Sequence, residues 1–140
     1  MPKPILEIFV DGGARGNPGP AGGGFVIFEN GRRVKDGAIF FGEKTNNQAE
    51  YMALLEALKA AAAVAGAPGG SGPVEIYMDS ELIVRQMKSE YKVKKAHLKE
   101  LHAEAVAALK NFTAASFTHI PREKNELADA LANRAMDRKR

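Results

Sequence analysis

Asn30-Gly31, set between the apolar runs Phe25 to Phe28 and Ala38 to Phe41, narrows what this chain can fold into more than any other feature. An Asn-Gly pair tolerates positive φ at two successive residues, which the tight turn of an antiparallel hairpin requires. A further apolar run of strand length, Ile5 to Val10, precedes the hairpin and ends in Asp11-Gly12-Gly13. A glycine-rich loop is expected from Gly12 to Gly24. The domain therefore opens with three antiparallel strands, the first delivering an aspartate at its end.

Beyond the meander the pattern changes to strands alternating with helices. Thr45-Asn46-Asn47-Gln48 has the spacing of a capping box, and the alanine- and leucine-rich stretch after it predicts a helix from near Asn46 to about Gly66. Gly66 to Pro73 reads as a flexible loop before a short strand, Val74 to Met78, which also ends in an aspartate, Asp79. Ser80 can cap a short helix to about Lys88. The basic segment Tyr91 to Lys95 then leads to an amphipathic helix with Leu98, Leu101, Ala105 and Leu109 on one stripe. A last strand, Ala115 to Ile120, stops at Pro121, and Asn125 is placed to cap a closing helix carrying Leu127, Ala128, Leu131, Ala132 and Ala135. The order βββαβααβα predicts an α/β domain, residues 1–140, with a mixed sheet and helices packed on its faces.

Composition limits the chemistry. With no cysteine among 140 residues, neither a disulfide nor a thiolate metal site can form, and a bound metal must take oxygen or imidazole ligands, which suits hard cations. The start, MPKPILEIFVDGG, is broken by proline, glutamate and aspartate and matches neither a signal peptide nor a membrane span, so a soluble cytoplasmic protein is expected; a monomer is expected as well. Charge is unevenly spread: Lys92 to Arg140 holds 11 basic against 6 acidic side chains, and Thr45 to Tyr91 holds 3 against 6. A basic flank beside an acidic centre suits a polyanion gripped and cut with metal help; a solvated helix face with a basic tail would look the same.

Four acidic residues resist a purely structural explanation. Glu50 shares a helical stripe with Ala53, Leu54 and Ala57, the stripe expected to face the sheet. An unpaired carboxylate there costs several kcal/mol, and neither the first nor the fourth strand offers a basic partner, so a metal ion is the better explanation. Asp11 and Asp79 each follow apolar strand residues, at the strand ends where open α/β sheets bind ligands. Side by side near Glu50, they would raise one another's pKa unless a cation intervened. Asp129, near the Asn125 cap, is open to a structural reading as well. Such a cluster can hold two metal ions about 3.5–4 Å apart, one activating water and the other stabilising the leaving oxygen of a phosphodiester. No GxSxG elbow is present, and the glycines from Asp11 to Gly19 lack the GK[ST] ending of a P-loop.

Four segments, in this order, resemble the type 1 ribonuclease H family: Asp11 to Gly19 (DGGARGNPG), Thr45 to Glu50 (TNNQAE), Asp79-Ser80, and Asn125 to Asp129 (NELAD). The resemblance covers nearly the whole chain. It implies a ribonuclease H-like fold, a five-stranded mixed sheet of three antiparallel then two parallel strands with helices on both faces. It implies Asp11, Glu50, Asp79 and Asp129 as catalytic residues holding two Mg2+ ions, with Mn2+ as a substitute, and cleavage of the RNA strand of RNA/DNA hybrids. It also implies hybrid contacts at Gly12, Gly13, Asn17, Thr45, Asn46, Asn47 and Ser80, where amides, a hydroxyl and bare backbone suit minor-groove and phosphate recognition without sequence preference.

Three departures from the familiar pattern stand out. The histidine that many relatives carry before the last aspartate has two counterparts, His119 and Arg122, as proton carrier or product-release residue. Glu81 stands where an amide is familiar. The tryptophan-bearing basic protrusion of some relatives is reduced to Tyr91-Lys92-Val93-Lys94-Lys95. A non-catalytic hybrid-binding module of the same fold is the alternative reading, against which the intact set of four carboxylates argues.

Overall fold

β1 (Leu6–Ala14) is the strand around which the sheet is assembled in the computed structural model, which describes residues 4–65 and 72–139. It pairs antiparallel with β2 (Gly19–Glu29), and β2 pairs antiparallel with β3 (Arg32–Lys44). On its other side it pairs parallel with β4 (Val74–Met78), and β4 pairs parallel with β5 (Ala115–His119), giving the order β3-β2-β1-β4-β5. Between these strands lie α1 (Asn46–Ala65), α2 (Glu81–Met87) and α3 (Ala96–Leu109); a single 3-10 turn, Arg122–Lys124, precedes α4 (Glu126–Arg138). The expected five-stranded mixed sheet and element order are both present.

The local signals act as their chemistry dictates. Asn30 and Gly31 take φ of 53° and 79°, as the hairpin turn needs. At the head of α1 the capping box closes in both directions, Thr45 N donating to Gln48 Oε1 at 2.9 Å and Gln48 N to Thr45 Oγ1 at 3.2 Å. Ser80 Oγ accepts from Ile83 N at 3.4 Å and caps α2.

Three expectations need correction. The glycine-rich loop is mostly sheet: β1 continues to Ala14 and β2 starts at Gly19, with Gly12 opposite Gly23 and Gly13 opposite Gly22. Glycine gives no hydrophobic signal, yet its backbone pairs like any other. β3 is longer than its apolar stretch because its charged end, Arg32 to Asp36, lies on an edge strand facing water. Asn125 does precede α4, but its side chain makes no cap; buried, its Nδ2 donates instead to Val10 O at 2.9 Å, tying the helix head to β1. Most of the loop expected at Gly66 to Pro73 lies outside the described residues.

The core fills one face. Ala53, Leu54, Ala57, Leu58 and Ala61 of α1 are buried with Ile8, Val10, Ile27 and Ile76 of the sheet, and α3 backs α1 with Leu98 and Ala105 buried. Tyr51, fully buried, donates its hydroxyl to Gln86 Oε1 at 2.6 Å and locks α1 to α2. α4 lies on the opposite face against β1, β2 and β3, burying Ala128, Leu131, Ala132 and Ala135. Helices thus cover both faces, and no helix among the described residues is long and apolar enough to cross a membrane.

Both helices approach the sheet where side chains are missing. A Cβ on Gly12 would sit 2.4 Å from Ala49 O of α1, and one on Gly24 would sit 2.3 Å from Ala128 O of α4. A Cβ on Gly13 would meet nothing nearer than Asn46 Oδ1 at 3.9 Å. Gly12→Ala is therefore expected to destabilise the fold by about 1–3 kcal/mol or more in denaturant titrations, and Gly13→Ala by less than about 0.5 kcal/mol. Equal losses would show that α1 does not need the bare backbone at Gly12.

Candidate active site

Asp11 does not end its strand, as the apolar run suggested; it lies inside β1, opposite Gly24 of β2. What ends is the parallel pairing: Val10 and Met78 form the last β1–β4 rung, and Asp11, still in β1, and Asp79, just past β4, are the next residues. Glu50 follows Ala49, whose carbonyl faces Gly12, and Asp129 follows Ala128, whose carbonyl faces Gly24. One carboxylate thus arrives from each helix. All four line a single cleft of about 590 Å³.

Crowding and burial show in the titration of the group at the centre. Burial, then the neighbouring carboxylates of Asp79 and Asp129, push Asp11 up to about 9. Glu50 is pushed up to about 7, mainly by burial, with Asp79 adding to the shift and the Ser80 hydroxyl opposing it. Glu50 is half-buried: the stripe of Ala53, Leu54 and Ala57 enters the core as expected, and Glu50 emerges from its end into the cleft. Among the described residues, no three histidine, aspartate or glutamate side chains converge tightly enough to form a ready-made metal site. Asp11 nonetheless stands in direct contact with Asp79 and Asp129.

Around them, Gly12, Gly13, Asn46, Asn47 and Ser80 line the same cleft. Asn17 and Thr45 lie just outside it. Asn17 Oδ1 accepts from Asn46 N at 3.0 Å while Asn46 Oδ1 accepts from Ala14 N at 2.8 Å, so the two asparagines brace the β1–β2 loop against α1. Thr45 spends its hydroxyl in the capping box. The two candidates for the histidine position separate: His119 is the last residue of β5 and is not among the cleft's lining residues, whereas Arg122 lines the cleft and reaches Asp129 Oδ1 at 3.7 Å. Glu81 points to its own helix, pairing with Arg85 at 3.1 Å.

Two lining residues escaped the sequence reading. Arg15 bonds Asp137 and approaches Asn133 Oδ1 at 3.4 Å; Asn133 Nδ2 in turn donates to Asp129 O at 3.0 Å. Their signals were present: Arg15 lies within the glycine-rich motif, and Asn133 follows Asp129 by four residues, one helical turn. Asn47 also borders a second groove of about 500 Å³ that runs to Tyr91, Lys92, Lys94 and Lys95, so the acidic cleft continues into a basic track.

A sheet of this order with four carboxylates at the end of its β1–β4 pairing defines a class of protein before any relative is named. The family model described as reverse transcriptase-like matches residues 9–135. Ribonuclease HI of Halobacterium salinarum is 42% identical over 133 residues, which are 94% of this chain and 64% of that protein. Its crystal structure superposes with a TM-score of 0.89 at 40% identity, over 96% of this chain and 98% of that one. LC11-RNase H1, solved in complex with an RNA/DNA hybrid, gives 0.89 at 45% identity, over 96% and 98%. The bifunctional protein Rv2228c of Mycobacterium tuberculosis is 39% identical over 137 residues, 96% of this chain and 36% of that protein. The chain belongs to the type 1 ribonuclease H family. It spans about two thirds or less of these two curated relatives.

The raised pKa of Asp11 has a direct consequence for stability. Unfolded, the carboxyl ionises near 4; folded, it stays neutral to about 9, so the folded state binds the extra proton and loses stability as pH rises between those values. Asp11→Asn, uncharged in both states, should melt at a higher temperature than the parent chain at pH 7 in chelator, with the difference vanishing towards pH 4. A lower melting temperature at pH 7 would show that Asp11 is not electrostatically strained.

Proposed function

We propose that this chain is a divalent-metal-dependent ribonuclease H that hydrolyses the RNA strand of RNA/DNA hybrids, leaving 5′-phosphate and 3′-hydroxyl ends. The observation that carries the reading is the desolvated Asp11 beside Asp79 and Asp129, with Glu50 across the same cleft. Concentrated, partly buried negative charge is the reverse of what a passive binder of a polyanion needs, and it disfavours a non-catalytic hybrid-binding module. The oxygen-only donor set fits a hard cation such as Mg2+, with Mn2+ as substitute.

Asp11, Glu50, Asp79 and Asp129 would hold two such ions, which when bound supply Lewis-acid activation of water and stabilisation of the leaving oxygen. The remaining roles belong to neutral or basic groups. Asn46, Asn47 and Ser80 offer amides and a hydroxyl to sugar edges, and the half-buried backbone at Gly13, with no side chain in the way, admits close approach. Asn17 and Thr45 act from the cleft's border, Asn17 through Asn46 and Thr45 at a phosphate of the DNA strand. The basic track beyond Asn47 supplies sequence-independent attraction to phosphate. The hybrid bound in the LC11-RNase H1 structure supports this substrate class.

Asp79→Asn is expected to fold normally and to lose more than the about 100-fold that altering a metal site's outer partners typically costs, measured on labelled hybrid with Mg2+. Full turnover in that variant would sink the assignment, and folded protein that binds hybrid but never cuts it would favour the binding module. Between the two histidine-position candidates, Arg122 is our assignment, because it reaches Asp129 and His119 does not line the cleft. Arg122→Ala should slow multiple turnover by about tenfold or more while His119→Ala stays near the parent rate; the opposite ranking reverses the assignment.

A further inference from the structure

On the side of the sheet that carries α4, a further recess has a chemistry opposite to that of a nucleic-acid surface. It is a groove of about 400 Å³ between the sheet and the head of α4. Its floor is aromatic. Along β1, Leu6, Ile8 and Val10 are buried in the core, so the alternate residues Glu7 and Phe9 face the groove. Phe9 meets Phe28 edge-on at 5.8 Å and stacks on Tyr77 at 4.9 Å, forming a file of three rings across β2, β1 and β4. α4 packs over β1, β2 and β3 and supplies the opposite wall with Leu127, 48% exposed.

The rim is acidic. Glu7, Glu123 and Glu126 line the groove against one cation, Lys124. Glu75 extends the negative charge, accepting from the Tyr77 hydroxyl at 3.2 Å. A second observation is independent of charge. Asn125, 1% exposed, lines the groove; its Nδ2 is committed to Val10 O, and its Oδ1 has no hydrogen-bond partner among the described residues. A buried acceptor without a donor costs about 1–3 kcal/mol, and its wall therefore favours a donor-rich occupant.

We propose that this groove is a docking site for a basic–apolar peptide segment of a partner protein, an arginine seated among Glu7, Glu123 and Glu126 and a neighbouring apolar side chain lying on Phe9 and Leu127. Guanidinium supplies five N–H donors and no acceptor, and it packs favourably over aromatic rings. Nucleic acid is repelled by the same carboxylates. A free amine would leave the aromatic floor uncovered. The site is separate from the catalytic cleft, with which it shares no lining residue.

The test is a titration of the whole chain with acetyl-Arg-Leu-Arg-Phe-amide, followed by NMR shifts of the backbone and aromatic side chains, alongside acetyl-Glu-Leu-Glu-Phe-amide. The basic peptide should move Phe9, Phe28 and Leu127 saturably below about millimolar concentration, and the acidic peptide should not. Glu7→Gln combined with Glu126→Gln should weaken binding by about tenfold or more while hybrid cleavage is unchanged. Leu127→Ser, at an exposed position, should weaken it without altering charge. Shifts confined to the catalytic carboxylates, equal response to both peptides, undiminished binding to the variants, or no saturation by millimolar would each overturn the proposal. Loss of cleavage in the parent chain would count against the ribonuclease reading and leave the docking site untouched.

Discussion

Two backbone carbonyls pressed against two glycines set the geometry on which the rest depends. Ala49 O of α1 occupies the space of a Gly12 Cβ, and Ala128 O of α4 occupies that of a Gly24 Cβ. Gly12 and Gly24 belong to adjacent rungs of the β1–β2 ladder, Gly12 with Gly23 and Asp11 with Gly24, and they face opposite sides of the sheet. The residue after each carbonyl is a carboxylate, Glu50 in one helix and Asp129 in the other. A helix held one side-chain layer further out would place its carboxylate beyond reach of Asp11. The glycines are therefore part of the site's construction, although neither carries a functional group.

The same closeness makes the site electrostatically costly. Asp11 is desolvated by the packing that brings its neighbours in, and those neighbours carry its own charge. Relief available within the protein is peripheral: Arg122 stands 3.7 Å from Asp129, exposed to water, where an ion pair contributes little. Arg15 is engaged with Asp137 at the rim. Neither cation lies between the strand aspartates, so neutralisation at the centre is left to a proton or to a bound cation. That is the physical link between the electrostatic strain of the site and the metal dependence proposed for it.

Much of this could be read from residue order. The hairpin, the capping box and the strand–helix alternation after Asn46 come from local chemistry that tertiary packing does not override. Glu50 was conspicuous because its helical neighbours are apolar, and all three of them are buried. What escaped detection has one common cause, which is that the signal lies in a partner distant in sequence. The glycines looked like a loop because their purpose resides in Ala49 and Ala128. Asn125 looked like a cap because nothing local announces Val10 O, 115 positions away. Arg15 was silent until Asn133 and Asp137 came alongside. Asp129 stood on family resemblance until the fold placed it beside Asp11.

Charge is divided by surface as well as along the chain. The track from Asn47 to Lys95 is basic, whereas the aromatic groove beside the head of α4 is acidic. A polyanion approaching such a molecule is attracted on one side and repelled on the other, which orients it before contact. Asn125 links the groove to the strand that carries Asp11. Its side-chain amide nitrogen donates to the carbonyl of Val10, the residue before Asp11, while its backbone carbonyl accepts from the N–H of Asp129 at 3.0 Å. One buried residue, through its side chain and its backbone, thus ties the strand of Asp11 to the helix head that carries Asp129 and also lines the groove. Replacing it would disturb the carboxylate cleft and the groove at once, so the groove is better interrogated through its rim than through Asn125.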